Sequence, residues 1–251
     1  MSHELIIIQA RLGSSRLPKK ILMPFWNGKS ILQLIIEKVR ALNLPFILAT
    51  TNNDLDDELS DWAIAFGVKV YRGEERNVLH RFIEAATESH ATNLIRICAD
   101  NPFIQLETIP HFFDELAKGI DYISYSNHQQ VPAIRTHWGL FVEGVSLQAL
   151  MKAQELIAND KDQPFFQEHV TNFIYQNVDL FTVKLEKAPK LIEKREDLRF
   201  TVDTGTDFKA MSQLQHLLNS TEVTLSHLIQ TVDQNPYLLD EMKKGIESFN
   251  K

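Results

Sequence analysis

A chain of 251 residues with 44% hydrophobic and 24% charged residues has the composition of an ordinary globular protein, long enough for one large α/β domain. Its formal net charge of −7 argues against a general nucleic-acid binder, and the single cysteine, Cys98, excludes an intrachain disulfide framework and a cysteine-based zinc site. The apolar run Leu5 to Ile8 is too short to span a bilayer, the first residues lack the order of a signal peptide, and a cytoplasmic location with no membrane partner is the expectation.

Leu5-Ile6-Ile7-Ile8 predicts a strand. It runs into Gln9-Ala10-Arg11-Leu12-Gly13-Ser14-Ser15-Arg16-Leu17-Pro18-Lys19-Lys20-Ile21-Leu22, where Gly13 and two serines allow a tight polar turn and Arg11, Arg16, Lys19 and Lys20 concentrate positive charge. Apolar side chains at helical spacing behind Ser30 predict a helix over 30–42. Strands follow at 46–50, 68–71 and 93–98, with helices at 54–66 and 78–89 between them. Beyond these come a helix over about 106–117, a strand over about 121–125 and the polar stretch 126–130, read as a loop over the site. Helices at 146–157 and 164–175 and strands at 181–185 and 198–202 complete the pattern, and the helical tail from Thr224 is expected to serve packing alone.

Strands separated by helices of this length predict βαβ units and a mostly parallel sheet with helices on both faces. The opening loop leaves the first strand and Asp100 leaves the fourth, so both fall on the rim where open α/β sheets bind ligands. Two acidic elements stand out there. Asp100 precedes Asn101-Pro102, which disfavours helix, and its carboxylate is placed either to meet a hard cation or to close a turn. Asp203 ends the run Arg199-Phe200-Thr201-Val202 and either faces the rim or caps the next helix, a role worth roughly 1 kcal/mol. The opening loop is equally open to two readings, a solvated basic turn and a cradle for a small phosphorylated ligand.

The opening stretch closely resembles the Ala-Arg-x-x-Ser-x-Arg-Leu-Pro-Gly-Lys-x-Leu signature of cytidylyltransferases that activate sugar acids, including the spore-coat polysaccharide group, with Lys19 in place of Gly. Ala99-Asp100-Asn101-Pro102 resembles the family's Gly-Asp-x-Pro segment, and Thr201-Val202-Asp203-Thr204-Gly205-Thr206-Asp207 its Thr-Val-Asp-Thr-x-x-Asp element. Arg72-Gly73 through Arg81-Phe82, Gly139-Leu140-Phe141-Val142-Glu143 and Glu168-His169-Val170-Thr171 resemble three further family segments. Asn77 replaces Asp, His137-Trp138 replace Pro-Arg, and Gln167 replaces Arg.

The resemblance implies a Rossmann-like three-layer nucleotidyltransferase fold in one domain, 1–251, with an inserted lid or dimerisation segment at 127–175. It implies magnesium-dependent CMP transfer from CTP to an anionic acceptor such as a sugar acid, in surface-polysaccharide or related glycan biosynthesis. Ala10, Arg11, Gly13, Ser14, Ser15, Arg16, Lys20, Arg72, Arg81 and Asp100 are then expected at the nucleotide, with Arg11, Arg16, Lys20 and Asp100 catalytic and the amides of 13–15 on the triphosphate. Asp100 and Asp203 are expected to hold Mg²⁺, and Arg135, His137, Glu143 and His169 to face the acceptor. A homodimer is also implied. Structural ion pairs for Arg72, Arg81 and Glu143 stay open, as do a nucleotide-sugar glycosyltransferase and a homologue that binds without turnover.

Overall fold

The computed structural model describes residues 3–248. β1 (Glu4–Gln9) runs into the opening loop, after which a short ribbon of β2 (Pro24–Trp26) and β3 (Lys29–Ser30) leads to α1 (Ile31–Ala41). β4 (Phe46–Thr51), α2 (Asp57–Ala65), β5 (Val70–Gly73), α3 (Val78–Glu88), β6 (Asn93–Cys98), α4 (Ile109–Ala117) and β7 (Tyr122–Ser126) then alternate. The chain continues through β8 (Glu143–Ser146), α5 (Leu147–Leu156), α6 (Gln163–Glu168), α7 (Asn172–Gln176) and β9 (Val183–Lys187), and closes with α8 (Gly205–Leu218), α9 (Leu225–Asp233) and α10 (Pro236–Ser248).

The main sheet has the order β5-β4-β1-β6-β8-β7-β9, and only β8 runs against its neighbours. Period-two alternation divides β1 between two cores: Ile6 and Ile8 pack with α1, α4 and α8–α10, while Leu5 and Ile7 pack with α3, α5 and α7. The three-layer expectation is met. The parallel ladder β4-β1-β6 brings Thr51, Gln9 and Cys98 to one rim, so the segments that follow each of them meet there.

Local chemistry fixes the helix starts. The Ser30 hydroxyl accepts from Gln33 N at the head of α1, and Asn77 Oδ1 accepts from His80 N at 3.0 Å at the head of α3, so Asn performs the capping that Asp also provides. At α8, Thr204 and Asp207 form a capping box. Asp203 is therefore not the cap.

Two expectations of secondary structure need correction. Residues 198–202 form no strand: the segment is buried and extended, held by single backbone bonds from Phe200 N to Trp138 O and from Val202 N to Asp100 O. The helix expected over 164–175 breaks at Val170, which takes φ +25°. That break carries the fully buried Thr171 hydroxyl to the Glu143 carboxylate, at 3.0 and 3.1 Å from its two oxygens. Within segment 127–175, β8 lies between β6 and β7 inside the sheet. β8 passes there because Gly144 has no side chain; a Cβ would sit 2.7 Å from Ile123 Cγ2.

Candidate active site

The opening loop is folded onto itself and pinned from outside. Leu12 O accepts from Ser14 N at 2.8 Å and Lys19 N at 3.2 Å, and the Leu12 amide donates to Asp56 Oδ1 at 2.7 Å. Asp56 is buried just before α2 and its other oxygen accepts from Thr51 N and the Thr51 hydroxyl. A carboxylate with these donors is a firm anchor, since charge-assisted bonds are roughly twice as strong as neutral ones. Because Ser14 N is already committed to Leu12, it is not a free donor for a triphosphate as expected of the 13–15 amides.

This fold buries the Lys20 side chain and delivers its ammonium to the second half of the site. Nζ lies 3.0 Å from Asp100 Oδ2, 3.7 Å from Asp203 Oδ1 and 2.5 Å from Val202 O. Arg16 Nη2 reaches the same Asp203 oxygen at 2.8 Å, and Arg199 Nη2 holds the other, Oδ2, at 2.6 Å. Burial pushes the Asp203 carboxyl up, but Lys20, Arg199 and Arg16 together outweigh it and set its pKa below the ordinary value. Asp203 is thus a carboxylate across the neutral range.

Two cavities meet at these groups. One of about 240 Å³ is walled by the loop residues Ala10, Arg11, Ser14, Ser15, Arg16 and Lys20, with Arg81, Asp100 and Asp203. The second, of about 330 Å³, shares Arg16, Cys98, Asp100 and Asp203 and continues past Asn101, Gly139, Phe141 and Thr201. The first is rich in cations and the second is mainly neutral. Arg81 is fully buried and donates to the carbonyls of Glu74 and Glu75; burial, then the nearby Arg11, hold its pKa down to about 10. Its Nε has no hydrogen-bond partner among the described residues.

Residues 5–243 match the cytidylyltransferase family model. The chain belongs to the cytidylyltransferase family. It is 33% identical over 234 residues to an uncharacterised protein of Methanocaldococcus jannaschii, covering 92% of this chain and 91% of that one. It is 31% identical to the spore coat polysaccharide biosynthesis protein SpsF of Bacillus subtilis, covering 94% and 96%. It is also 31% identical to a 3-deoxy-manno-octulosonate cytidylyltransferase of Francisella tularensis, over the full length of both. Among solved structures, a cytidylyltransferase from Leptospira borgpetersenii superposes with a TM-score of 0.81 at 25% identity, covering 95% and 97% of the two chains. A CMP:2-keto-3-deoxy-manno-octonic acid synthetase complexed with CTP shares the fold, with a TM-score of 0.63 at 17% identity, covering 86% and 100%.

The expected residues separate into those the fold gathers and those it does not. Gly13 lies beside the first cavity without lining it, and no atom crowds its Cβ position. Arg72 faces away, bonding Thr51 O, Asn53 O and, at 2.6 Å, Asp57. Of the four residues expected at the acceptor, none lines the second cavity. Arg135 bears on the Tyr175 hydroxyl, and His137 Nδ1 meets Arg199 Nη1 at 3.2 Å. Glu143 is buried in a network with Arg96, Tyr122 and Thr171, and exposed His169 packs on the Phe165 ring. Their neighbours Ala133, Ile134 and Thr136 line the cavity instead, since the three-residue period of the 3-10 turn over Ala133–Arg135 sends Arg135 to a different side from Ala133 and Ile134. Asp56 and Arg199 were missed: Asp56 is marked by its bond to Leu12, 44 residues away, and Arg199 by a burial that short-range pattern does not show.

Proposed function

We propose that this protein transfers CMP from CTP to a sugar acid or related acceptor in polysaccharide or related glycan biosynthesis, releasing pyrophosphate. The observation that carries the reading is the pair of cavities joined at Arg16, Asp100 and Asp203, one walled by cations and the other mainly neutral. Two reactants held there face each other across those three residues. Positioning of this kind supplies roughly 7–11 kcal/mol of a barrier without a covalent enzyme intermediate.

Arg11, Arg16, Lys20 and Arg81 hold the triphosphate, the buried Arg81 Nε finding in it the partner that the described residues do not provide. Arg16 and Lys20 pair with Asp203 and Asp100 on the cavity wall, so an incoming triphosphate competes with those carboxylates for the same cations. As the acceptor oxygen attacks the α-phosphorus, their fixed charges stabilise the negative charge that develops on departing pyrophosphate. No three His, Cys, Asp or Glu side chains form a metal cluster among the described residues. Two hard carboxylates beside a triphosphate nonetheless fit Mg²⁺, which takes oxygen ligands and keeps water. When bound by Asp100 and Asp203, the ion supplies Lewis-acid polarisation of the α-phosphate.

Exposed Met151, Leu156 and Phe165 lie on α5 and α6 within 127–175, the segment the expected homodimer would use, and exposed Val178 and Leu180 lie just beyond it. Light scattering reads that directly: a monomer at micromolar concentration removes the dimer. No described helix is long and apolar enough to cross a membrane. Pyrophosphate release across the four nucleoside triphosphates and a panel of sugar acids, phosphosugars and phosphonates tests the function. CTP-dependent release supports it; tight CTP binding without release over the whole panel favours a binding homologue.

A further inference from the structure

We propose that Arg199, backed by the side-chain-free surface of α10 at Gly245, is a positioning residue that sets the aim of Asp203. The proposal rests on the reading of Asp203 as a magnesium ligand. It adds that the ligand's geometry is built from the C-terminal part of the chain.

The Arg199 side chain is 1% exposed, so its charge is met almost entirely by protein. Its Nη2 donates to Asp203 Oδ2 at 2.6 Å and to Asp207 Oδ2 at 3.4 Å. Asp207 is itself fixed by the capping box, its Oδ2 accepting from Asp203 N at 3.0 Å and Thr204 N at 2.8 Å. Asp203 is thereby held at its backbone amide and at one carboxylate oxygen, and only Oδ1 is left toward Arg16, Lys20 and the cavities. Bridging two carboxylates from one buried position suits the planar guanidinium fork, which an ammonium does not reproduce.

α10 makes room for this arrangement. A Cβ at Gly245 would lie 2.9 Å from Arg199 Cδ and 3.0 Å from Nε. Glycine inside a helix is otherwise a destabilising choice, so the close approach of Arg199 gives that position a reason. Groups that hold the spare oxygen of a metal-binding carboxylate commonly control metal affinity by roughly 10- to 100-fold.

The test is Mn²⁺ binding to the protein–CTP complex, followed by the electron paramagnetic resonance signal of free Mn²⁺, for wild type, Asp203→Asn, Arg199→Lys and Gly245→Ala. Arg199→Lys is expected to weaken Mn²⁺ roughly 10-fold, and Gly245→Ala to shift it in the same direction by a smaller factor. Affinity for CTP without divalent metal, measured by calorimetry, should be retained, and Gly245→Ala should keep its thermal midpoint. Gly245→Ala decides alone if Arg199→Lys does not fold. Wild-type Mn²⁺ affinity in Gly245→Ala and in any folded Arg199→Lys, with a weakened Asp203→Asn, overturns the positioning role. A parallel loss of metal-free CTP affinity overturns it too, in favour of a purely structural one. Unchanged Mn²⁺ binding in Asp203→Asn refutes the underlying metal reading instead.

Discussion

Gly139 joins the acceptor-side cavity to the segment that carries Asp203, and Gly139→Ala probes that junction. Its φ is +59°, and an added Cβ would stand 2.5 Å from Thr201 Cγ2, 2.9 Å from Asn101 Oδ1 and 3.1 Å from the Thr201 backbone nitrogen. A left-handed conformation costs an L-residue about 1–2 kcal/mol. Overpacking adds about 1–3 kcal/mol, and a rotamer change relieves only part of it because one contact is backbone. Against this, alanine reduces unfolded-chain entropy by about 0.4–1 kcal/mol, leaving a net loss of about 1–5 kcal/mol. Relief requires segment 199–203 to shift, which carries Asp203 away from Lys20 and Arg16. Urea denaturation followed by circular dichroism reads the stability, and pyrophosphate release at a temperature where the variant is folded reads the site. Stability within about 1 kcal/mol of wild type together with normal turnover would refute the reasoning.

Lys20→Met should lower turnover by about 10²-fold or more if the buried ammonium beside Asp100 and Asp203 serves the triphosphate as proposed, and near-normal pyrophosphate release would count against that role. It should also destabilise the fold, because Lys20 is buried between Asp100 and Asp203 and is not the marginal loop residue that its sequence position implies. Asp56→Ala strips the acceptor from the Leu12 and Thr51 amides and is expected to cost about 2–4 kcal/mol and to raise the KM for CTP more than it lowers kcat. A variant with unchanged urea stability would show that the anchor is unimportant. The lowered pKa of Asp203 means that its contribution to stability is complete above its ordinary value near 3.8 and disappears as pH falls through the lower folded value. Asp203→Asn should therefore lose less stability than wild type on acidification below about pH 4 and the same amount from pH 8 to 5. Parallel curves down to pH 2 would contradict the assignment.

The legible part of the fold is that written in local periodicity. The β1 run, the helices behind Ser30 and Asn77, and the rim positions of the opening loop and Asp100 all follow from short-range pattern. Lys19 shows the same logic at one residue: it takes φ +59°, a conformation for which the family's glycine is better suited. Residues 198–202 were misread because alternation of apolar residues describes any buried extended segment, whether or not a partner strand exists. β8 escaped notice because four residues with a central glycine carry almost no strand signal, and its place in the sheet depends on Ile123 and Ile95.

For the site, residue types were readable and partnerships were not. Arg16 and Asp203 stand 187 residues apart, and no spacing rule joins them. Arg199 reads as an ordinary strand cation until Asp207 and Gly245 are seen around it. Arg135 and His137 made attractive substitutes for the missing family arginine, yet the turn over 133–135 points them at Tyr175 and Arg199. What remains on the cavity wall is Asn101, Thr136 and Thr201, so Arg16 is the cation nearest any anionic group of the acceptor among the residues lining that cavity.

The central claim is transfer of an intact CMP unit, and mass spectrometry of the product formed from CTP and an accepted sugar acid measures it. The account predicts a single adduct with the mass of acceptor plus CMP less water, formed one-for-one with pyrophosphate and lost in Lys20→Met. Free CMP or CDP in place of that adduct, or an adduct formed equally well by Lys20→Met, would contradict it.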